Sequence, residues 1–77
     1  MVNENVVKSI IANKIGVSES EINNDSNLAN DLGADSLDVV EISMALEREF
    51  NVTFTDEDTS KIATFGDIIN LINSKLG

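Results

Sequence analysis

Three segments of this chain place apolar residues three and four positions apart, which is the spacing of one face of an α-helix. They cover residues 6–15, 36–50 and 65–76, and Thr64 is the expected N-cap of the last segment. The apolar residues of that last segment are expected to complete the core: Phe65, Ile68, Ile69, Ile72 and Leu76. Gly16 directly after the first segment is typical of a helix end, because glycine enters the left-handed conformation without steric cost. The acidic run Asp56–Asp58 suits the start of a further short helix. The pattern predicts an all-α fold, a small four-helix bundle with three main helices and a short third helix.

A long connection, residues 17–35, separates the first two helical segments and is rich in Ser, Asn and Asp. Ser18 and Glu21 have the spacing of a capping box and predict one short turn. Three apolar residues are expected to hold the connection against the core: Ile22, Leu28 and Leu32. A loop of this length in so small a domain often carries function.

The chain has 77 residues, enough for a single domain spanning residues 1–77. It carries 14 acidic side chains against five basic ones, a net charge of −9. This charge argues against nucleic acid, whose phosphates need Lys and Arg, and against an anionic membrane surface. No apolar run approaches the roughly 20 residues that span a bilayer, and the N-terminus lacks a secretion signal. We expect a cytoplasmic monomer without membrane insertion, whose partners present basic surfaces.

Histidine, cysteine and tyrosine are absent, so a catalytic site would have to consist of Asp, Glu, Lys, Ser and Thr. General bases that act near neutral pH are most often histidines. A thiolate metal site is excluded, and a calcium loop starting at Asp25 would put Ser36 where the bidentate glutamate is required. We therefore expect neither a metal site nor catalytic activity of the chain's own.

The second helical segment carries two apolar stripes. The broader one is expected to face the core and consists of Val39, Ile42, Leu46 and Phe50. The narrower one consists of Leu37, Val40 and Met44, and acidic residues such as Asp38 and Glu41 lie between the two stripes. The narrower stripe either packs against the later helices or forms an exposed patch for a basic partner. The spacing alone leaves both alternatives open.

The segment Asp31-Leu32-Gly33-Ala34-Asp35-Ser36-Leu37-Asp38 lies where the long connection meets the second helix. Asp35 or Ser36 is the expected N-cap, and Gly33 a turn residue. A helix N-terminus stabilises a phosphate group through its free N–H groups, so a phosphodiester on Ser36 would be well placed. No neighbouring residue can activate the Ser36 hydroxyl, and its modification would need a separate enzyme.

The run D-L-G-A-D-S-L-D, followed by V-V-E-I-S-M-A-L-E-R-E-F, resembles the signature of acyl carrier proteins of dissociated (type II) fatty-acid synthesis. The resemblance covers essentially the whole chain. It implies that Ser36 carries 4′-phosphopantetheine, transferred from coenzyme A by a holo-carrier synthase. The thiol of that group would hold the growing acyl chain. Further implied partners are the malonyl transferase, ketoacyl synthases, reductases, dehydratases and acyltransferases.

The resemblance also assigns two sets of site residues. The partner surface would contact basic patches on the enzymes and consists of Asp35, Leu37, Asp38, Val40, Glu41 and Met44. The acyl chain would fold back into the helices, where the candidate lining residues are Val40, Leu46, Phe54, Ile62 and Ile68. The partner-surface assignment favours the alternative in which the narrower stripe of the second helix is exposed. The acyl-pocket assignment has a simpler alternative, in which some of these residues are ordinary core residues.

Four residues depart from the common pattern of the family. Arg48 replaces the usual acid and weakens the negative stripe at the end of the second helix. Thr55 replaces a common proline, and Phe54 and Ile68 are large enough to alter the acyl cavity.

Two alternatives to the fatty-acid carrier stay open. One is a carrier for polyketide synthesis or D-alanyl transfer, and the other is an acidic interaction module in which Ser36 is only a cap.

Overall fold

The computed structural model describes residues 2–76, and Met1 and Gly77 lie outside them. The elements in chain order are α1 (Glu4–Ile15), a single 3₁₀ turn (Glu19–Glu21), α2 (Ser36–Phe50), α3 (Asp56–Ser60) and α4 (Phe65–Leu76). Within the described residues the only extended pairing is one isolated bridge, between Asn27 and Thr64. The predicted all-α fold with a short third helix is confirmed. None of the helices in residues 2–76 is long and apolar enough to cross a bilayer.

α1 forms where the apolar spacing predicts it, and its inward face carries Val7 and Ile11, both completely buried. Asn3 caps its first turn by accepting a hydrogen bond from the Asn5 N–H at 3.0 Å. Gly16 ends the helix in the left-handed conformation, with φ of 83°. The helix end predicted at Gly16 is therefore confirmed.

The long connection between α1 and α2 is pinned to the core at three points. Its buried residues are Ile22, Leu28 and Leu32, as predicted. Ser18 and Glu21 form the predicted capping box around the 3₁₀ turn, with the Ser18 N–H donating to Glu21 Oε2 at 2.9 Å. The connection is therefore a packed part of the domain.

Backbone hydrogen bonds also join this connection to the start of α4. The Leu28 N–H donates to the Ala63 carbonyl at 2.9 Å, and the Phe65 N–H donates to the Ser26 carbonyl at 3.0 Å. The Gly66 N–H donates to the Asn24 carbonyl at 3.0 Å. Two of the first N–H groups of α4, which have no partner within their own helix, are thereby satisfied.

One apolar core joins α1, α2, α4 and the connection. From α2 it takes Ile42 and Leu46 of the broader stripe, with Val39 and Phe50 partly buried against it. From α4 it takes Phe65, Ile68, Ile69 and Ile72. Leu76, which continues the same spacing, lies about half exposed at the helix end. The prediction that Leu76 belongs to the core is therefore wrong, because the residue stands at the very end of α4 and its side chain remains accessible to solvent.

α3 has five residues, and none of them is buried. Thr55 is its N-cap, since Thr55 Oγ1 accepts from the Asp58 N–H and Asp58 Oδ2 accepts from the Thr55 N–H, both at 3.0 Å. Lys75 of α4 forms an ion pair with Asp58, with 2.8 Å between Nζ and Oδ2. Thr55 and Asp58 thus supply a complete capping box for α3.

Candidate functional site

The turn before α2 is fixed by its own side chains. Asp31 Oδ2 accepts a hydrogen bond from the Asn27 N–H at 2.7 Å, and Asn27 Oδ1 accepts from the Ala29 and Asn30 N–H groups. Gly33 has φ of 76°, a left-handed conformation that glycine adopts without strain. This conformation lets the chain bury a residue on each side of Gly33, namely Leu32 and Ala34.

Asp35 is the N-cap of α2. Asp35 Oδ1 accepts from the Asp38 N–H at 2.9 Å, and Asp38 Oδ2 accepts from the Asp35 N–H at 3.1 Å. The sequence left the cap open between Asp35 and Ser36, and the structure assigns it to Asp35. Ser36 is the first residue of the helix instead.

The Ser36 side chain is exposed, and its hydroxyl makes no hydrogen bond to any other residue in 2–76. The other polar side chains of residues 31–38 are Asp31, Asp35 and Asp38, and each accepts a backbone hydrogen bond. Ser36 is the polar residue of this segment whose side chain has no such role. The first N–H groups of α2 lie beside it and suit a phosphate ester. The two carboxylates nearest in sequence, Asp35 and Asp38, already accept backbone hydrogen bonds in the cap.

The narrower stripe of α2 is exposed. Leu37 is 65% exposed, Val40 52% and Met44 49%. Of the two alternatives that the spacing left open, packing against the later helices is therefore wrong. Glu41 is exposed on the same side and Asp38 is partly exposed beside it. Starting at Ser36, the outer side of α2 thus combines apolar and negative side chains.

The residues predicted to line an acyl pocket differ in how deeply they are buried. Leu46 and Ile68 are completely buried in the core, Phe54 and Ile62 are partly buried against it, and Val40 is exposed. Ile62 also lines a cleft of about 250 Å³ between α3 and α4, opposite Leu71 and Asn70. No other residue of the predicted set lines that cleft.

Two carboxylates at the rim of this cleft have lowered pKa values. Hydrogen bonding to Lys75 and to the Thr55 N–H lowers the pKa of Asp58 to about 2. The Thr64 and Ala63 N–H groups, which both donate to Asp67 Oδ2 at 3.0 Å, lower the pKa of Asp67. Both carboxylates are therefore ionised at neutral pH, and they serve to cap helices.

Sequence reasoning missed two contacts that position the elements around the site. Asp58 pairs with Lys75, and Glu47 Oε2 accepts from the Phe54 N–H at 2.8 Å, which ties the end of α2 to the segment before α3. The capping-box spacing of Thr55 and Asp58 could have indicated the first carboxylate. No local signal indicates the pairing with Lys75 or Phe54, because it depends on how the helices pack. Among residues 2–76 no cluster of acidic side chains is arranged to hold a metal ion.

Comparison with known proteins places this geometry in a family. The model of the phosphopantetheine attachment site family matches residues 5–72. The acyl carrier protein of Thermotoga maritima is 52% identical over 71 residues, which cover 92% of this chain and 88% of that one.

Solved structures agree. The acyl carrier protein of Enterococcus faecalis superposes with a TM-score of 0.80 at 35% identity, covering 94% of this chain and 91% of the other. A structure described as a candidate acyl carrier protein of Mycobacterium tuberculosis gives a TM-score of 0.86 at 27% identity, covering 92% and 95%. The free serine at the start of α2 thus lies in a chain that belongs to the acyl carrier protein family, carriers that bear phosphopantetheine and are not themselves enzymes.

Proposed function

We propose that Ser36 is the residue that carries 4′-phosphopantetheine. The observation that supports this most directly is the exposed Ser36 side chain at the first position of α2, whose hydroxyl makes no hydrogen bond within residues 2–76. Of the residues before it, Leu32 and Ala34 are buried and have no hydroxyl, and the Asp31 and Asp35 carboxylates accept backbone hydrogen bonds. Modification of the Ser36 hydroxyl would break no hydrogen bond among residues 2–76.

Attachment requires coenzyme A and a holo-carrier synthase. A bond forms between Ser36 Oγ and phosphorus while the P–O bond of the pyrophosphate breaks, and adenosine 3′,5′-bisphosphate leaves. The hydroxyl proton passes to a base on the synthase, because Asp35 and Asp38 already accept backbone hydrogen bonds. Once attached, the group supplies a thiol that holds an acyl chain as a thioester.

We infer that the chain shuttles growing fatty acyl chains between separate enzymes of fatty-acid synthesis. These are the malonyl transferase, ketoacyl synthases, reductases, dehydratases and acyltransferases, and the carrier acts as a cytoplasmic monomer with one domain over residues 1–77. The identity with the Thermotoga maritima protein supports an acyl carrier. Polyketide synthesis and D-alanyl transfer are the alternative pathways. The family membership disfavours the acidic interaction module.

The surface proposed to meet these enzymes is the docking face, defined as Asp35, Leu37, Asp38, Val40, Glu41 and Met44. Three exposed apolar side chains on one helix side exceed the scattered exposure of an ordinary surface. Charge complementarity between the acids and basic patches raises association rates and is screened by salt. Such contacts suit a carrier that must both bind and leave quickly.

A pair of variants tests the docking face. Glu41→Lys should slow association with a ketoacyl synthase of the same organism, and the loss should shrink as salt is added. Glu4→Lys makes the same charge change on an exposed residue of α1, outside the docking face. Equal losses in the two variants would show that only net charge matters and would contradict the assignment.

The acyl chain is proposed to lie against Val40, Leu46, Phe54, Ile62 and Ile68. Because Leu46 and Ile68 are completely buried, the chain can reach them only if the side chains packed around them move apart. α3 has no buried residue and can move at low cost to the core. If the chain is sheltered, the melting temperature should rise from the holo form through the hexanoyl to the octanoyl form. A melting temperature independent of chain length would place the chain in solvent.

Intact mass spectrometry tests the attachment site. The wild-type chain incubated with coenzyme A and a holo-carrier synthase should gain the mass of one phosphopantetheine. Ser60→Ala, which changes an exposed serine elsewhere, should gain the same mass, and Ser36→Ala none. No gain on folded, initially unmodified wild type would overturn the carrier proposal. A gain on Ser36→Ala would overturn the residue assignment.

The pathway is tested on the holo form. A fatty-acid carrier should accept a malonyl group from the malonyl transferase and be elongated by a ketoacyl synthase of the same organism. Loading by a D-alanine ligase or elongation only by a polyketide synthase would identify the alternative pathway instead.

A further inference from the structure

Arg48 lies on the same side of α2 as the docking face, beyond its last residue. At about 100° per residue, Leu37, Glu41, Met44 and Arg48 fall within roughly 60° of one another around the helix. All four are exposed. The outer side of α2 therefore begins with negative charge and ends with positive charge.

The Arg48 guanidinium has no carboxylate partner in residues 2–76. The ion pairs within this range are Lys61–Glu57 and Lys75–Asp58. On a helix, charges pair with residues three or four positions away, and around Arg48 these are Met44, Ala45, Asn51 and Val52. No acid stands at those positions, so Arg48 is left to interact outward.

A helix C-terminus favours a positive charge, and this accounts for an arginine in the last turn of α2 without any partner. Docking adds a second constraint. A basic patch extended over the whole side of α2 would meet Arg48 with like charge, which is costly at an interface. An apolar surface there would remove the water around the guanidinium without replacing its hydrogen bonds.

We propose that Arg48 is a specificity determinant of docking, and that enzymes covering this side of α2 present a carboxylate to it. The carboxylate lies about 10 Å along the helix from the basic residues that meet Glu41, given a rise of 1.5 Å per residue over seven residues. A guanidinium binds a carboxylate through two parallel hydrogen bonds, which adds geometric selectivity. The proposal rests on the proposed docking face and adds the charge order that its partners must match.

The sign of a charge reversal tests it. The probe is the purified ketoacyl synthase of the same organism, and the readouts are Kd and association rate with the holo carrier. If a carboxylate meets Arg48, Arg48→Glu should weaken binding by about tenfold or more, and Arg48→Gln by less. If the enzyme offers only basic residues, Arg48→Glu adds attraction and tightens binding. Unchanged or tighter binding of Arg48→Glu overturns the proposal.

Lys14→Glu is the matched control. Lys14 is also exposed, stands in the last turn of α1, and undergoes the same charge reversal at a helix C-terminus. It should leave binding unchanged or slightly tighter. An equal weakening in both variants would reflect helix destabilisation and would also overturn the role of Arg48. Circular dichroism on each variant checks that it is folded.

The outcomes separate this proposal from the carrier function. Uptake of phosphopantetheine by the wild type tests the carrier function without reference to Arg48. A holo carrier that binds the synthase equally well with glutamate at position 48 keeps its function while the role of Arg48 falls. If the wild-type chain takes up no phosphopantetheine, the proposed carrier function itself is contradicted, whatever the Arg48 variants show.

Discussion

α2 and α3 start with the same local device and are held in place by different interactions. Asp35 and Asp38 form a reciprocal capping box at the start of α2, and Thr55 and Asp58 form one at the start of α3. α2 then buries side chains in the core, whereas no residue of α3 is buried. The comparison shows that the capping box sets the residue at which a helix begins, whereas buried side chains fix the helix to the rest of the domain.

Polar contacts hold α3 where the core does not. Lys75 reaches Asp58 from α4, and Glu47 accepts a hydrogen bond from the Phe54 N–H just before α3. Such contacts respond to pH and salt, while apolar burial does not depend on either in the same way. Among the described helices, α3 is therefore the one whose position depends on polar contacts and not on buried residues of its own.

The largest effect is expected from the core contact of α2. Leu46→Ala should lower the free energy of unfolding by about 2–5 kcal/mol. A core of this size supplies only about 3–5 kcal/mol of net stability, so much of the variant should be unfolded. Leu37→Ala removes the same side chain from the exposed side of α2 and should change stability by less than about 0.5 kcal/mol. Urea unfolding followed by circular dichroism measures both, and similar losses would contradict the two-sided description of α2.

The cap of α2 should have the next largest effect. Asp35→Ala should lower the free energy of unfolding by about 1 kcal/mol, because it frees the Asp38 N–H. Ser36→Ala should leave stability nearly unchanged, since the hydroxyl bonds to none of the described residues. The same urea experiment compares them. A larger loss in Ser36→Ala would mean that the serine, and not Asp35, caps the helix.

A smaller and more local effect is expected where Lys75 holds α3. The folded pKa of Asp58 is about 2, below its ordinary value of 3.8, because of Lys75 and the Thr55 N–H. A lowered pKa means that the stabilisation is present above the ordinary value and is lost as pH falls from about 4 to 2. Lys75→Gln should raise the pKa of Asp58 toward 3.8, as measured by NMR titration of the side-chain carboxyl group.

The same variant should reduce amide-exchange protection in α3 while leaving α1 unchanged. A Lys75→Gln chain in which the Asp58 pKa stays near 2 would show that the cap alone lowers it.

The smallest effect is expected at the second ion pair of α3. Lys61 and Glu57 lie four residues apart, 3.3 Å between Nζ and Oε1, with both side chains more than two-thirds exposed. Exposed pairs of this kind contribute about 0.2–1 kcal/mol at most, so Lys61→Gln should barely change the melting temperature. Thermal unfolding at low and high salt compares Lys61→Gln with Lys75→Gln. Equal shifts would remove the distinction between a contact within α3 and one that fastens α3 to α4.

Much of the fold could be predicted because its signals are local. The apolar spacing and Gly16 place the end of α1 and both ends of α2 within a residue or so of those observed, and the Ser18–Glu21 capping box places the 3₁₀ turn. Leu76 was misplaced because periodicity describes a helix face and not how far the neighbouring helices extend. The cap could not be chosen between Asp35 and Ser36, since both residue types favour that position and one residue of register separates them.

The sequence by itself determined the chemistry available to the chain: a strong negative charge, no histidine to act as a general base near neutral pH, and one serine in the D-L-G-A-D-S-L-D run. Tertiary structure decided which stripe of α2 is covered and that Asp58 pairs with Lys75. The physical reason is the distance along the chain between the residues that interact. Capping and turn conformation depend on residues a few positions apart, whereas burial and the approach of one helix to another depend on the packing of the whole core.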